Sequence, residues 1–581
     1  MKIGSIILGS LLVAYGAFVA GCSLEGTPER AAGNRSLEAD TPPASDREVA
    51  ESRDRPAQEN TFRSTKSPAA NAPEATKESS RKESEGKSQE KSQEKSTKGK
   101  EATGNSPETG NSPDTQSQSG SKAVSKSSGE SEKGSQSEPI ENLWTRKQGQ
   151  DWPTFLGPTG DSKSTETGLV TPWPEGGPRI VWQRLLGTGY GIGSVSRGRF
   201  FQFDRLGDEA QLICLHAETG KILWKFGYPT SYVDLYGYNG GPRASPVVDE
   251  DRVYILGAEG MLHCLHVVDG RELWKVDTKS EFGVVQNFFG VGGTPVVDGD
   301  LLIVMVGGAD EDSQRAPPGQ LDRILGNGSG IVAFDKHTGK VRYKITDELA
   351  SYCTPRVVSI EDRRWCFALC RNGLVGFEPQ TGRVDFEFPW RARILESVNA
   401  STPVIVGNQV FISETYGPGS ALLKIEGDRP TVVWDDSRKG RDKSMKCHWN
   451  TPIYIDGYLY GCSGRNEPDS DMRCIDWQTG KVQWVESTRI RNSLLYVDGH
   501  FISLAEDGVL QLIRVNPEKF DVVSTIEELR DKPSGEDASR GFSRLLLRSP
   551  CWSAPILSHG LLYVRGNDRL VCLEVIPELG G

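Results

Sequence analysis

The sequence has few of the residues and spacings that usually mark a metal, haem or hydrolase site. Its 581 residues include only 7 His, scattered along the chain. None of its 11 Cys forms a CxxC or CxxCH spacing, so neither a zinc ribbon nor attached haem is supported. No G-x-S-x-G segment occurs, which argues against the nucleophile elbow of a serine hydrolase.

Methionine and concentrated basic charge are also scarce. Only 5 Met accompany 65 Gly and 13 Trp, and this composition favours a turn-rich β protein over a helical one. The formal charge is −11 and no basic stripe stands out. We therefore do not expect nucleic acid as a partner.

The N-terminus has the pattern of a lipoprotein signal. An apolar run follows Lys2 and ends in "VAGC" (residues 19–22), where a small pair precedes the cysteine. This predicts a signal peptide over 1–21 and a lipid on Cys22. An ordinary cleaved signal peptide or a short transmembrane anchor is the alternative. Ser23 gives no inner-membrane retention signal, so we expect an anchor in the outer membrane, facing the periplasm.

Residues 22–143 contain almost no large apolar side chain. The stretch "KESEGKSQEKSQEKSTKGKEATG" is rich in Ser, Lys, Glu and Gln, with charges that alternate in sign. Such a segment buries too little apolar surface to offset the entropy of ordering, which predicts a disordered polyampholyte linker. Its role would be that of a tether or of a plain solubilising spacer.

A repeat begins where Trp and β-branched residues return. "MLHCLHVVDGRELWKV" (Met261–Val276) nearly restates "QLICLHAETGKILWKF" (211–226) and "DMRCIDWQTGKVQWVE" (471–486). Each repeat has an apolar segment after Thr-Pro or Ser-Pro, often an Asp-Gly turn, two further apolar segments, and a Thr-Gly turn before a fourth. Four short antiparallel strands in every roughly 40 to 60 residues predict propeller blades.

The number of repeats predicts how the ring closes. They begin near Ser194, Ser245, Thr294, Thr354, Thr402, Thr451, Ser493 and Ala554. The eighth lacks its Trp-bearing strand, which is found at "RIVWQRLL" (Arg179–Leu186). We therefore predict an all-β, eight-bladed β-propeller over 179–577, in which the N-terminal strand completes the last blade after a lead-in segment at 144–178.

These repeats resemble the PQQ-like repeats of the quinoprotein-like eight-bladed β-propellers. The family's tryptophan-docking motif ends in Thr-Gly-Lys-x-x-Trp, which "AETGKILW" and "WQTGKVQW" match, while "VVDGRELW", "KHTGKVRY" and "PQTGRVDF" are weaker variants. The resemblance covers about Asp151–Val575. It implies that the motif's Trp packs between blades and hydrogen-bonds the neighbour, a structural role for Trp182, Trp224, Trp274, Trp434 and Trp484.

The resemblance leaves two functions open, because the family holds both PQQ-dependent dehydrogenases and non-catalytic scaffolds of the BamB type. The adjacent Cys-Cys pair of many of those dehydrogenases and the haem motif of their cytochrome-fused members are absent, and the loops that roof the cofactor in those enzymes are short here. The sequence thus favours a monomeric, non-catalytic binding or assembly scaffold without a cofactor, with an envelope protein as its partner. The alternatives are a periplasmic oxidoreductase that uses PQQ with Ca²⁺, and a carbohydrate or small-ligand binding module.

The loops that lead into the innermost strands should converge on a central funnel. They bring polar and aromatic side chains together from different blades, as a pocket for a small molecule or a peptide requires. The predicted rim residues are Arg243, Tyr352, Asn399, His448, Trp449, Asn450, Asn492 and Trp552. Alternatively, each of them only caps the turn of its own blade.

An aromatic insertion, "YPTSYVDLYGYNGG" (Tyr228–Gly241), should lie on the same face. Tyrosine offers contact area at little cost in entropy. We expect this loop either to cover the funnel or dock a partner, or to pack on the propeller without a further role. Its candidate residues are Tyr232, Asp234, Tyr236 and Tyr238.

Four cysteines share one position in the third strand of their repeats: Cys214, Cys264, Cys474 and Cys572. Ala333 and Gly376 take that position elsewhere, so the position selects for small size and not for metal or redox chemistry. Cys462 lies on the strand next to Cys474, and a disulfide between them is an alternative in an oxidising compartment.

Overall fold

A computed structural model of the protein describes residues 139–466, 469–487, 490–531 and 543–578. The predicted signal peptide, Cys22 and the linker up to residue 138 lie outside these residues. The described chain forms eight four-stranded antiparallel sheets, which confirms the predicted eight-bladed propeller. Among the described residues the only α-helix is α1 (Thr278–Phe282), with 3-10 turns at Ser313–Arg315 and Leu321–Arg323, and no helix there is long and apolar enough to cross a membrane.

The chain enters the propeller at β1 (Arg179–Leu185), which does not belong to the first blade. The next strands fill four blades in chain order. Blade 1 is β2 (Ser194–Ser196), β3 (Arg199–Leu206), β4 (Glu209–His216) and β5 (Ile222–Pro229). Blade 2 is β6 (Val247–Asp249), β7 (Arg252–Leu256), β8 (Met261–His266) and β9 (Glu272–Asp277). Blade 3 is β10 (Val296–Asp298), β11 (Leu301–Met305), β12 (Ile331–Asp335) and β13 (Val341–Ile345). Blade 4 is β14 (Arg356–Ile360), β15 (Arg363–Leu369), β16 (Gly373–Phe377) and β17 (Val384–Pro389).

The second half of the ring repeats this order. Blade 5 is β18 (Val404–Val406), β19 (Gln409–Glu414), β20 (Gly419–Glu426) and β21 (Arg429–Asp435). Blade 6 is β22 (Ile453–Ile455), β23 (Tyr458–Ser463), β24 (Asp471–Asp476) and β25 (Val482–Glu486). Blade 7 is β26 (Asn492–Val497), β27 (His500–Ala505), β28 (Leu510–Arg514) and β29 (Asp521–Ile526). Blade 8 is β30 (Ile556–Ser558), β31 (Leu561–Arg565) and β32 (Arg569–Glu574), completed by β1.

Circular closure occurs as predicted. In blade 8, β1 pairs antiparallel with β32, and Trp182 lies opposite Cys572. The pairing gives β32 a neighbour on both sides, so the edge that would otherwise template aggregation is covered.

Burial follows strand position within a blade. The two middle strands of blade 1, β3 and β4, are buried along most of their length, whereas β5 at the outer edge alternates between exposed and half-buried residues. Middle strands are covered on both faces by neighbouring blades, so their sequences are nearly continuous apolar runs. The apolar core therefore lies between blades.

A β-bulge accompanies the docking tryptophan. In blade 1, Trp224 lies opposite Cys214 but Ile222 lies opposite Leu215, which leaves one extra residue on β5. Bulges re-aim side chains. Here the Nε1 of Trp224 donates to the O of Val267 in the next blade at 3.0 Å. Four other docking tryptophans donate from Nε1 to a backbone O in the same way: Trp182 to Ala217 (2.8 Å), Trp274 to Lys336 (3.1 Å), Trp434 to Trp477 (2.8 Å) and Trp484 to Asn516 (3.0 Å).

The glycine of the Thr-Gly turn receives the tryptophan of the preceding blade. Gly220 has a φ of +67°, and a Cβ added there would lie 2.7 Å from the ring of Trp182. Only glycine combines the left-handed conformation with this approach. The motif therefore serves two interfaces, since its Gly seats one tryptophan and its own Trp docks on the following blade.

The cysteines are buried and unbridged. All ten in the described part of the chain are free thiols. Cys462 lies opposite Met472, and Cys474 lies opposite Tyr460, so these two do not face each other. The third-strand position that holds Cys, Ala or Gly lies opposite the docking aromatic, as in the pair Gly376 and Phe386. Burial at this position raises the pKa of Cys214 to about 12.

Candidate functional site

The inner strands surround a central cavity of about 270 Å³, which we call the funnel. Its lining comes from the inner strands, from the loops that lead into them, from two loops that follow second strands and from the lead-in segment. Its aromatic residues are Phe155, Tyr190, Tyr238, Phe289, Tyr352, Tyr416, Trp449 and Trp552, and its charged residues are Arg243, Arg465 and Arg491.

The lead-in segment gives the funnel a floor. Phe155 and Leu156 line the cavity, and Leu156 is buried. Just before them, Trp152 pairs with Val195 in the inner strand of blade 1. Further along the segment, the O of Thr159 accepts from Arg356 Nη2 of blade 4 at 2.9 Å. The N of Ser164 donates to the O of Tyr496 in blade 7 at 2.8 Å. It therefore crosses the channel and ties non-adjacent blades together.

The Ser or Thr before the inner-strand proline links blades around the funnel. The N of Ser245 donates to Thr294 Oγ1 in the next blade at 3.1 Å, and the N of Thr402 donates to Thr451 Oγ1 at the same distance. The hydroxyl oxygens of Thr294 and Thr451 therefore accept from a backbone N–H of the preceding blade. The Thr-Pro and Ser-Pro signature thus marks an inter-blade hydrogen bond.

The structure brings six of the predicted rim residues together on the funnel wall: Arg243, Tyr352, His448, Trp449, Asn450 and Trp552. Asn399 and Asn492 are placed elsewhere. Asn399 Nδ2 donates to the O of Cys370 at 2.7 Å, and Asn492 Nδ2 donates to the O of Ile490 at 3.5 Å. Both side chains are buried. Asn492 bonds the backbone of its own loop, whereas Asn399 bonds the β15–β16 hairpin of blade 4, and neither residue lines the funnel.

Two tryptophans and an arginine form one wall. The guanidinium of Arg491 lies 4.2 Å from the ring centre of Trp449 and 5.7 Å from that of Trp552. Trp449 Nε1 donates to the O of Trp552 at 3.0 Å, and Trp552 Nε1 donates to Glu506 at 2.7 Å. Glu506 also pairs with Arg491 at 2.7 Å. The wall is therefore rigid, and its indole donors are already used.

His448 is held as a neutral imidazole. Burial, with the guanidinium groups of Arg491 and Arg465 nearby, lowers the pKa of His448 to about 3. Arg491 Nη1 lies 3.3 Å from Nδ1, and since an arginine only donates, Nδ1 accepts and Nε2 carries the proton. Nε2 then donates to the hydroxyl oxygen of Tyr416 at 3.1 Å, which leaves the hydroxyl proton of Tyr416 available to another acceptor.

The aromatic insertion is fixed to the funnel by a buried ion pair. Arg243 Nη2 lies 2.6 Å from Asp234 Oδ2, with both side chains nearly inaccessible. Asp234 Oδ1 accepts from the N of Tyr236 at 2.9 Å and from the N of Tyr238 at 3.3 Å. Tyr232 is buried and lies 5.4 Å from the Arg243 guanidinium, so it supports the loop.

The same loop exposes apolar surface next to the funnel. Val233 is 75% exposed, Leu235 41%, Tyr236 51% and Tyr238 49%. Tyr238 itself lines the funnel, with its ring centre 5.7 Å from that of Trp552. The loop therefore lies on the funnel face, and its exposed side chains adjoin the cavity.

The predicted rim left out several lining residues, among them Tyr190, Phe289, Tyr416 and Arg465. Tyr190 and Phe289 lie in Gly-rich loops ahead of inner strands, where the loop pattern was a usable signal. Tyr416 and Arg465 follow the second strand of their blades, and no repeat pattern marks that position. The guanidinium of Arg465 lies 4.6 Å from the ring centre of Tyr416.

The charged residues that line the funnel are all arginines. Its lining includes three arginines and, among the described residues, no aspartate or glutamate. The acids that pair with Arg243 and Arg491 lie behind the wall. Within the described ranges no group of three or more His, Cys, Asp or Glu side chains is arranged to hold a metal ion.

Fold and repeat pattern together define a class: an eight-bladed β-propeller built from PQQ-like repeats. Within this class, residues 232–486 match the family described as outer membrane protein assembly factor BamB. The match confirms the resemblance predicted from the docking motifs. No curated protein matches the chain in sequence.

Solved structures with similar folds include a BamB and two dehydrogenases. BamB from Moraxella catarrhalis is 12% identical, with 69% of this chain and 98% of that chain covered and a TM-score of 0.44. Quinohemoprotein alcohol dehydrogenase from Comamonas testosteroni is also 12% identical, with 74% and 82% covered and a TM-score of 0.47. A europium-containing methanol dehydrogenase is 13% identical, with 73% and 89% covered and a TM-score of 0.36. A shared fold at such identities does not assign an activity.

Proposed function

We propose that this protein is a lipid-anchored, extracytoplasmic scaffold that binds a partner protein on its funnel face. The observation that carries the proposal is the exposed apolar surface of the insertion loop, from Val233 to Tyr238, beside an aromatic cavity. Clustered apolar side chains exposed next to a concave site are typical of protein interaction surfaces.

The loop is preorganised for binding. Asp234 accepts hydrogen bonds from two backbone amides of the loop and pairs with Arg243, so the backbone that presents Tyr236 and Tyr238 is already fixed. Tyr236 also stacks on Phe288, with ring centres 5.8 Å apart. Ordering a loop on binding costs free energy, and a loop that is fixed beforehand avoids that cost.

The location of this scaffold is part of the proposal. The match to the BamB family supports an envelope role, and the "VAGC" segment supports a lipid on Cys22. The chain between Cys22 and the propeller would then let the funnel face reach a partner at a distance from the membrane.

PQQ-dependent oxidation is the second candidate, favoured by the three arginines, which suit the cofactor's carboxylates. The fit is incomplete. Ca²⁺ prefers several oxygen ligands, usually including carboxylates, and no described lining residue supplies a carboxylate. A carbohydrate ligand, the third candidate, has the aromatic lining in its favour.

Capture from detergent-solubilised envelope tests the scaffold. The test variant is Leu235→Ala, Tyr236→Ala and Tyr238→Ala combined, with Tyr232 kept because it is buried. The matched control is Val432→Ala, Val433→Ala and Val485→Ala, which removes side chains that are 46%, 39% and 49% exposed on outer strands. We expect the loop variant to lose a partner that the control and wild type retain. Equal capture by all three would remove the proposal.

Titration with PQQ and Ca²⁺ separates the two leading candidates. The scaffold proposal predicts neither a stoichiometric complex nor dye reduction. A tight 1:1 complex with dye-reducing activity would establish the oxidoreductase instead.

A further inference from the structure

The funnel's charge is opposite to that of the protein. The chain has a formal charge of −11, yet three guanidinium groups line one cavity. Arg465 is exposed and forms no ion pair with a described carboxylate, while Arg243 and Arg491 are held in place by acids behind the wall. A cleft lined by one sign of charge concentrates ligands of the other sign.

Buried hydrogen-bond donors in the funnel lining lack acceptors among the described residues. Arg243 lines the cavity with its side chain 9% exposed, and its Nε has no partner among the described residues. The Oγ of Ser245, buried in the lining, likewise has none there. The hydroxyl proton of Tyr416 is available as well, because its oxygen accepts from His448. Unsatisfied buried donors are costly, so a ligand that accepts hydrogen bonds would be favoured.

The arginines favour a negatively charged ligand, and the unpartnered donors favour a hydrogen-bond acceptor. A carboxylate has both properties, since it is negative and only accepts hydrogen bonds. The apolar surface beside the funnel adds a third requirement. Val233, Leu235 and Tyr236 are exposed outside the cavity, where a small anion bound inside would not cover them. A peptide whose acidic side chain enters the funnel would place its neighbouring apolar side chains on that loop.

We propose that the funnel binds an acidic peptide segment of the partner protein, with a carboxylate at Arg465 and Arg243 and flanking apolar side chains on the loop from Val233 to Tyr238. This inference rests on the proposed scaffold function and specifies what the scaffold recognises.

Selection from a randomised twelve-residue peptide library displayed on phage tests the inference with the purified mature full-length protein. We expect selected peptides to be enriched in Asp or Glu next to aromatic or aliphatic residues. A synthetic peptide from this pool should bind less tightly as salt rises, because salt screens an ion pair at an exposed arginine.

Charge-reversal variants supply the control. Arg465→Glu should weaken binding of the selected peptide by about ten-fold or more, since a charged hydrogen bond is lost and a like charge is placed opposite. Arg429→Glu, at an exposed arginine of β21 outside the funnel lining, should leave it unchanged. The peptide with Lys in place of its acid should prefer the Arg465→Glu protein. Circular dichroism and urea midpoints establish that both variants are folded.

Several results would overturn the inference: no enrichment, enrichment without acidic residues, or equal binding by the two arginine variants. Free citrate forms a separate arm, and binding of citrate as tight as that of the selected peptide would assign the funnel to small anions. If the loop variant loses its envelope partner while the library shows no acidic preference, the scaffold stands and acidic recognition fails. If the loop variant keeps that partner, the proposed function itself fails.

Discussion

At the scale of single residues, five of the eight blade interfaces in the described chain have one aromatic ring seated on one glycine: Trp182 on Gly220, Trp224 on Gly270, Trp274 on Gly339, Tyr343 on Gly382 and Trp434 on Gly480. Trp182 hydrogen-bonds the O of Ala217 at 2.8 Å, and its ring covers Gly220 of blade 1. The contact also closes the ring, because Trp182 comes from the N-terminal strand and Gly220 from the first blade.

Substitutions at Trp182 should separate the hydrogen bond from the packing. Trp182→Phe should lower the free energy of unfolding by about 1 kcal/mol, because it removes mainly the hydrogen bond. Trp182→Ala should lower it by about 3 kcal/mol or more, because the buried ring is lost. Urea unfolding followed by circular dichroism measures both. An alanine variant as stable as wild type would contradict the docking role.

The neutral state of His448 predicts a pH dependence of stability. Its pKa is about 3 in the folded protein and about 6.5 in the unfolded chain, so between these values only the unfolded state binds the proton. Stability from this group is therefore lost as pH falls from about 6.5 towards 3. Urea midpoints at several pH values should fall less steeply for His448→Gln than for wild type. Identical slopes would show that His448 is not held neutral.

At the scale of elements, the sequence predicted the blades better than the loops. Strand order and closure could be predicted from the Thr-Gly-Lys-x-x-Trp motif and the Asp-Gly turns, because the repeats share similar turn residues and apolar strand segments. Arg465 and Asn399 could not be placed this way, since loop paths are set by contacts with distant segments. Thr159 illustrates the point, because its carbonyl meets Arg356 across the channel.

The lead-in segment should be required for stability although it lies outside the repeats. Trp152 is 1% exposed, and the segment bonds blades 1, 4 and 7. A chain that begins at residue 166 should therefore unfold at a clearly lower urea concentration than one that begins at residue 139, since loss of the buried Trp152 alone costs about 3 kcal/mol. Equal midpoints would show that the segment only rests against the propeller.

At the scale of the whole molecule, the sequence predicts a membrane attachment at Cys22, and the proposed binding face lies on the propeller. The attachment is predicted from the small pair before Cys22. Cys22→Ser should move the protein from the membrane pellet to the soluble fraction and abolish labelling by a radioactive fatty acid. A variant that still labels and pellets would contradict lipidation at this residue.

The proposed function requires that a partner protein occupies the funnel face. Site-specific photocrosslinking in cells that make the protein tests it most directly, with the photoreactive residue in place of Tyr238 at the funnel or Val485 on the outer strand β25, which are both 49% exposed. We expect a discrete protein adduct from position 238 and none from position 485. No adduct at 238, or the same adduct from both positions, would contradict it.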